Sequence, residues 1–71
     1  MMLFDPSADL PDDTLIEWVR LPTRIRNAVA YAGFKTVGDL RNTTDQGLLS
    51  IPDLGPGSVQ WLRDRIGPSP G

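Results

Sequence analysis

Seventy-one residues make one small domain, near the lower limit for an independent core, since a chain this short buries only about 60% of its unfolded surface. With no cysteine and no histidine, it has no disulfide framework, no thiolate zinc site, and neither the commonest general base nor the commonest metal ligand. Residues 1–19 carry five acids (Asp5, Asp9, Asp12, Asp13, Glu17) and no Lys or Arg; residues 20–71 carry seven basic and four acidic side chains, a net +3 too weak for tight nucleic-acid binding by charge alone.

No apolar run approaches transmembrane length and no signal peptide opens the chain, so a cytoplasmic protein without a membrane partner is expected. Three regions are expected: an acidic N-terminal arm (1–12), one helical domain (13–67) and a flexible tail (68–71). In the arm, "MMLFDPSADLPDD" has two prolines and no sustained period. Asp12 or Asp13 is expected to cap a short turn through "TLIEWV", where Leu15, Ile16, Trp18 and Val19 offer apolar surface. Pro22 ends that segment and suits the first turn of the next helix, where its missing N–H is harmless.

The helix "PTRIRNAVAYAG" has an apolar stripe at Ile25, Ala28, Val29 and Ala32, spaced i, i+3, i+4, i+7, with Gly33 placed to end it in the left-handed conformation. "TVGDLRN" sets Thr36 three residues before Asp39, a capping-box-like start to a second helix. "TTDQGLLSI" repeats the logic, with Thr43 or Thr44 as cap and Leu48, Leu49 and Ile51 as buried anchors before Pro52. The last helix is expected from Pro56 to Ile66, with Val59, Leu62 and Ile66 inward and Gly67 and Pro68 stopping it. No stretch alternates at period two. The fold class is therefore all-α: four short helices and an N-terminal segment, with a helix-hairpin-helix-like element before the last helix.

That hairpin, "IPDLGPGS", is the first place where chemistry is legible. Asp53 sits where the turn calls for positive φ, Leu54 plugs the core, and Gly55 and Pro56 stand as N-cap and N1. Two readings of the glycines are open. The bare N–H groups of Gly55, Gly57 and Ser58 can hold an anion at the positive end of the helix dipole, as the phosphate-holding hairpin of helix-hairpin-helix modules does, or the glycines only permit a compact turn. On the first long helix, Arg24, Asn27 and Tyr31 share one stripe at i, i+3, i+7. An arginine fork, an amide and a phenol suit phosphate, a base edge or a narrow A·T minor groove; a solvated helix face is the plain alternative.

"LPTRIRNAVAYAGFKTVGDL" followed by "LLSIPDLGPGSVQWLRDRI" resembles the C-terminal domain of the bacterial RNA polymerase alpha subunit, over roughly residues 20–66 without gaps. The resemblance is carried by Leu21, Arg24, Asn27, Gly33, the run from Thr36 to Leu40, Leu54, Gly55 and Ser58. It implies a compact helical module that binds A·T-rich promoter DNA in the minor groove and touches transcription regulators. Arg24 is then the minor-groove arginine, Asn27 its neighbour on the backbone, and Gly55 and Ser58 the hairpin contacts to phosphate. The family's hairpin lysine is Gly57 here, its usual asparagine is Asp53, and Pro56 replaces a basic or polar residue. Giving up one phosphate partner lowers the slope of log K against log salt by about 0.9, so weak DNA binding is expected.

Two further features have no counterpart in the family. Trp61, with Ser58 and Arg65, falls on the side of the last helix away from Val59, Leu62 and Ile66, which makes Trp61 and Arg65 candidates for a protein partner unless Trp18 or Leu15 covers the ring. The arm's acids are expected to fold back over Arg24 and Arg26. With scattered carboxylates, one lysine and one tyrosine as its whole acid/base pool, the chain reads as non-catalytic, with no cofactor, metal or small-molecule substrate. The leading function is a DNA-binding transcription module whose partners include RNA polymerase or a regulator. The alternative is a protein-interaction adaptor of the same fold, using Trp61 and the arm. Met1 and the short tail fit either a complete small open reading frame or a fragment of a larger subunit, and the sequence does not decide between them.

Overall fold

Four α-helices follow one another through short connections in the computed structural model, which describes residues 3–67: α1 Thr23–Tyr31, α2 Val37–Arg41, α3 Asp45–Leu49 and α4 Pro56–Arg65. A 3-10 turn at Ile16–Trp18 precedes them. No strand forms among the described residues, but two isolated bridges pair Phe4 with Val19 and Leu15 with Thr36. The expected tail, 68–71, lies outside the described residues.

The caps read from sequence organise the helix starts. Thr36 Oγ1 accepts from the Asp39 N–H, and the Asp39 carboxylate accepts from the Thr36 N–H, closing the capping box of α2. Thr44, rather than Thr43, caps α3 by accepting from the Gly47 N–H at 3.1 Å. Gly33 takes φ +96° just beyond α1, where any other residue would be strained. Pro22 stands one place earlier than expected, as the N-cap of α1 in extended backbone.

The inward faces of these elements meet in one cluster: Ile16, Val19 and Leu21 from the entry segment, Ile25, Ala28 and Val29 from α1, Val37 and Leu40 from α2, Leu48 and Ile51 around α3, and Leu54, Val59, Leu62 and Ile66 from the hairpin and α4. Burial of each large aliphatic side chain stabilises the fold by about 1.5–3 kcal/mol. Two expected anchors are absent from it. Ala32 is exposed because α1 ends at Tyr31 and Ala32 already serves as C-cap. Leu49 is 46% exposed because the five-residue α3 turns only Leu48 fully inward.

The arm departs most from expectation. Neither Asp12 nor Asp13 caps the 3-10 turn, whose N-cap is Leu15 without a side-chain bond. Asp12 instead meets Arg41 at 2.7 Å, and Asp5 lies 3.8 Å from Arg20. The arm's acids therefore pair with Arg41 and Arg20, and not with Arg24 or Arg26. Arg41 commits its guanidinium to the arm and to the end of α4: Nε donates to the Ile66 carbonyl, Nη1 to Leu10 O and Asp12, and Nη2 to Ser7 O and Ala8 O. The arm then runs close enough to α2 for the Gly38 N–H to donate to Asp12 O at 2.8 Å. A Cβ on Gly38 would lie 2.9 Å from the Asp12 Cβ, so only glycine admits this approach.

Candidate functional site

The i, i+3, i+7 stripe of α1 and the hairpin before α4 come together. Ile25, Ala28 and Val29 hold one side of α1 in the core, which leaves Arg24, Asn27 and Tyr31 facing outward. Tyr31 is 86% exposed, although a phenol ring is a costly thing to leave in water without use. Opposite them stand Pro52 and Asp53. Arg24, Asn27, Ala28, Tyr31, Pro52 and Asp53 line a cleft of about 690 Å³. Arginine fork, amide, phenol and carboxylate thus share one concavity.

Asp53 has φ +69° and is the turn's left-handed residue, as its position in the hairpin called for. This bears on the two glycines that follow. Gly55 sits at φ −92°, ψ 179°, ordinary extended backbone, and Gly57 lies within α4 without positive φ. A Cβ built on either would meet no atom within 4 Å. Neither glycine is required by the turn or by packing, so the purely steric explanation of them fails. Both are exposed, with open space in front of them.

The first turn of α4 is correspondingly bare. Its N-cap, Gly55, offers no side-chain oxygen, and Pro56 occupies N1. Among the described residues the N–H groups of Gly55, Gly57 and Ser58 have no acceptor, whereas in α2 those of Val37, Gly38 and Asp39 go to Thr14 O, Asp12 O and Thr36 Oγ1, and in α3 that of Gly47 goes to Thr44 Oγ1. Unmet amides at the positive end of a ten-residue helix suit an anion. Ser58 is half-buried. Gly55, Gly57 and Ser58 do not form the wall of the cleft; they continue the same turn beyond Asp53.

The cations divide sharply by use. Arg41 is occupied as described, and Arg63 donates to Asp45 at 2.6 Å and to the carbonyls of Leu40 and Thr43, tying α4 to the α2–α3 connection. No ion pair among the described residues engages Arg24, Arg26, Lys35 or Arg65. The positive balance of the body thus overstates what a polyanion would meet. Position along the polypeptide gives no sign that Arg41 and Arg63 are structural, because every acceptor they use lies at least 18 residues away.

Trp61 is half-buried against the core rather than standing free, and the Arg65 guanidinium lies 5.0 Å from its ring centre. Neither residue lines the cleft beside α1. Among the described residues no group of three or more His, Cys, Asp or Glu is placed to hold a metal, and no helix is long and apolar enough to cross a membrane.

Comparison with known families finds one model, that of the C-terminal domain of the bacterial RNA polymerase alpha chain, which matches residues 8–66. The match takes in α1 to α4, the hairpin and the latter part of the arm. Comparison with curated proteins and with solved structures gave no match.

Proposed function

Because this protein belongs to the family of C-terminal domains of the bacterial RNA polymerase alpha subunit, a non-catalytic module associated with DNA and RNA polymerase in transcription, we propose that it binds A·T-rich duplex DNA weakly. Arg24 enters the minor groove, and Asn27 and Tyr31 lie along the adjoining sugar-phosphate backbone. The amides of Gly55 and Gly57 and the hydroxyl of Ser58 hold one phosphate. The work is binding, not catalysis, carried out in the cytoplasm beside RNA polymerase or a regulator.

One observation carries this reading: the outward stripe of α1 and the hairpin share a cleft that contains the unpaired Arg24. An arginine is favoured in an A·T-rich minor groove because the narrow groove concentrates negative potential. Backbone amides on the neighbouring turn fix register and carry no sequence preference. Asp53, in the wall of the same cleft, opposes any phosphate brought there and keeps the affinity low.

The test is a titration of the ¹⁵N-labelled protein with A·T-rich and G·C-rich duplexes at two salt concentrations. Shifts are expected at Arg24, Asn27, Tyr31 and Gly55 to Ser58, stronger with A·T-rich DNA and weaker in salt. Arg24→Ala is expected to lower affinity about tenfold, as removal of one charge-assisted hydrogen bond would. Unmoved amides at these positions would refute the proposal. The adaptor reading is favoured by the internal use of Arg41 and Arg63, which leaves few cations for DNA. It calls instead for silence at the cleft and for quenching of Trp61 fluorescence by a protein partner.

A further inference from the structure

The flank of α1 turned away from the cleft just described carries a second one. It is lined by Leu15, Ile16, Glu17, Arg26, Asn27, Ala30, Phe34 and Lys35 and has a volume of about 370 Å³. Arg24 and Arg26 lie on opposite flanks because two residues advance the helix by about 200°. Asn27, on the outer ridge between them, borders both clefts. We propose that this second cleft binds a small amphipathic carboxylate: an acid with an apolar aromatic or aliphatic body.

Size and lining point first to a small molecule. The volume falls within the range of small-ligand sites, about 300–1,000 Å³, and Leu15, Ile16, Ala30 and Phe34 offer an apolar seat. The charge of the ligand follows from Arg26. Its Nε is buried and, among the described residues, has no hydrogen-bond partner, which folded proteins rarely tolerate. The contrast lies within the same molecule, since the largely buried side chains of Arg41 and Arg63 have acceptors at Nε and at both terminal nitrogens. Lys35, in the same wall, is likewise in no ion pair among the described residues.

Two unpaired cations beside an apolar seat are complementary to one carboxylate, whose paired oxygens match a guanidinium edge. Among the described residues Glu17 is the only acid in the wall, and it pairs with neither cation. It admits a monoanion and repels a dianion. A nucleic-acid phosphate, with no apolar body to fill the seat, is the poorer occupant. The inference is independent of the DNA reading, which concerns the other flank.

The experiment follows amide shifts of the full-length protein as 4-phenylbutyrate is added, and in parallel its neutral counterpart, 4-phenylbutanamide. Saturable shifts at Leu15 to Glu17, Ala30, Phe34 and Lys35 are expected with the acid, at low-millimolar Kd for a ligand this small. The amide is expected to bind about tenfold more weakly. Lys35→Gln, at an exposed position, should weaken the acid a few-fold and Glu17→Gln should tighten it by a similar factor. Arg26→Gln should abolish the preference for acid over amide. If that variant fails to fold, the comparison of acid with amide on the unaltered protein still decides. Equal binding of the two compounds would overturn the proposal, as would shifts confined to the first turn of α4 or no saturable shift at all.

Discussion

A guanidinium has five N–H donors in a fixed plane, and Arg41 uses them to join segments far apart in sequence. Its acceptors lie in the arm, at Ser7, Ala8, Leu10 and Asp12, and at the end of α4, at Ile66. The side chain is only 17% exposed, so removing the donors leaves carbonyls short of partners in a place water reaches poorly. Lysine keeps the charge but concentrates it at one point and cannot span both directions. Arg41→Lys is therefore expected to cost about 2–3 kcal/mol in chemical denaturation, from the loss of two or more charge-assisted bonds. Hydrogen exchange at the Gly38 amide, which donates to Asp12 O, should speed up more than at Leu62 in the core. Unchanged stability together with unchanged Gly38 protection would show that the arm docks without this clamp. Nothing near Arg41 in the sequence announces the role, because its partners are 25 to 34 residues distant.

At the scale of elements, what could be read in advance was what depends on neighbours a few residues apart. The Thr36–Asp39 box, the Thr44 cap, Gly33 beyond α1 and the positive φ of Asp53 are local arrangements whose chemistry is set by spacing. The outward stripe of Arg24, Asn27 and Tyr31 was legible for the same reason, since a helical period fixes it. That Pro52 and Asp53 would face this stripe was not legible, nor was the exposure of Leu49, because both are set by how helices pack and not by any one helix. The α2 box also carries a pH signature. The backbone N–H of Lys35, and next that of Thr36, hold the Asp39 carboxyl below the usual carboxylate range. A carboxylate whose pKa is lower folded than unfolded stabilises the fold above its unfolded value, near 3.9, and loses that contribution as pH falls through the folded value. Asp39→Asn should thus be less stable than the unaltered protein above the unfolded value, with the difference closing as pH falls through the folded one. Thr36→Ala, which removes the other half of the box, should cost about 1 kcal/mol. A stability gap between Asp39 and its Asn variant that stays constant through acid pH would deny the carboxylate this part.

For the molecule as a whole, the question is how much positive charge is left to meet a polyanion once the fold has taken its share. Of seven cations, Arg20, Arg41 and Arg63 sit in ion pairs, and the rest are divided between the two flanks of α1 and the Trp61 side of α4. A domain measuring 31 × 25 × 19 Å can present only one such flank to a single groove. Binding through Arg24, with only neutral donors on the turn at Gly55–Ser58, should therefore release about one counterion and give a slope near −0.9 in log K against log salt. The hairpin offers a direct way to change that number. A Cβ at Gly57 meets no atom within 4 Å, so Gly57→Lys can be accommodated without moving the backbone. Its unfavourable place near the positive end of α4, about 0.3–1 kcal/mol, is offset by the gain in helix propensity over glycine, so the melting temperature should hardly move. If the turn faces phosphate, the new ammonium adds an ion pair, raises affinity for A·T-rich and G·C-rich duplexes alike, and steepens the slope by about 0.9. A folded Gly57→Lys variant with an unaltered slope would place the DNA elsewhere on the molecule, since a lysine in open space on that turn could not avoid a phosphate lying against it.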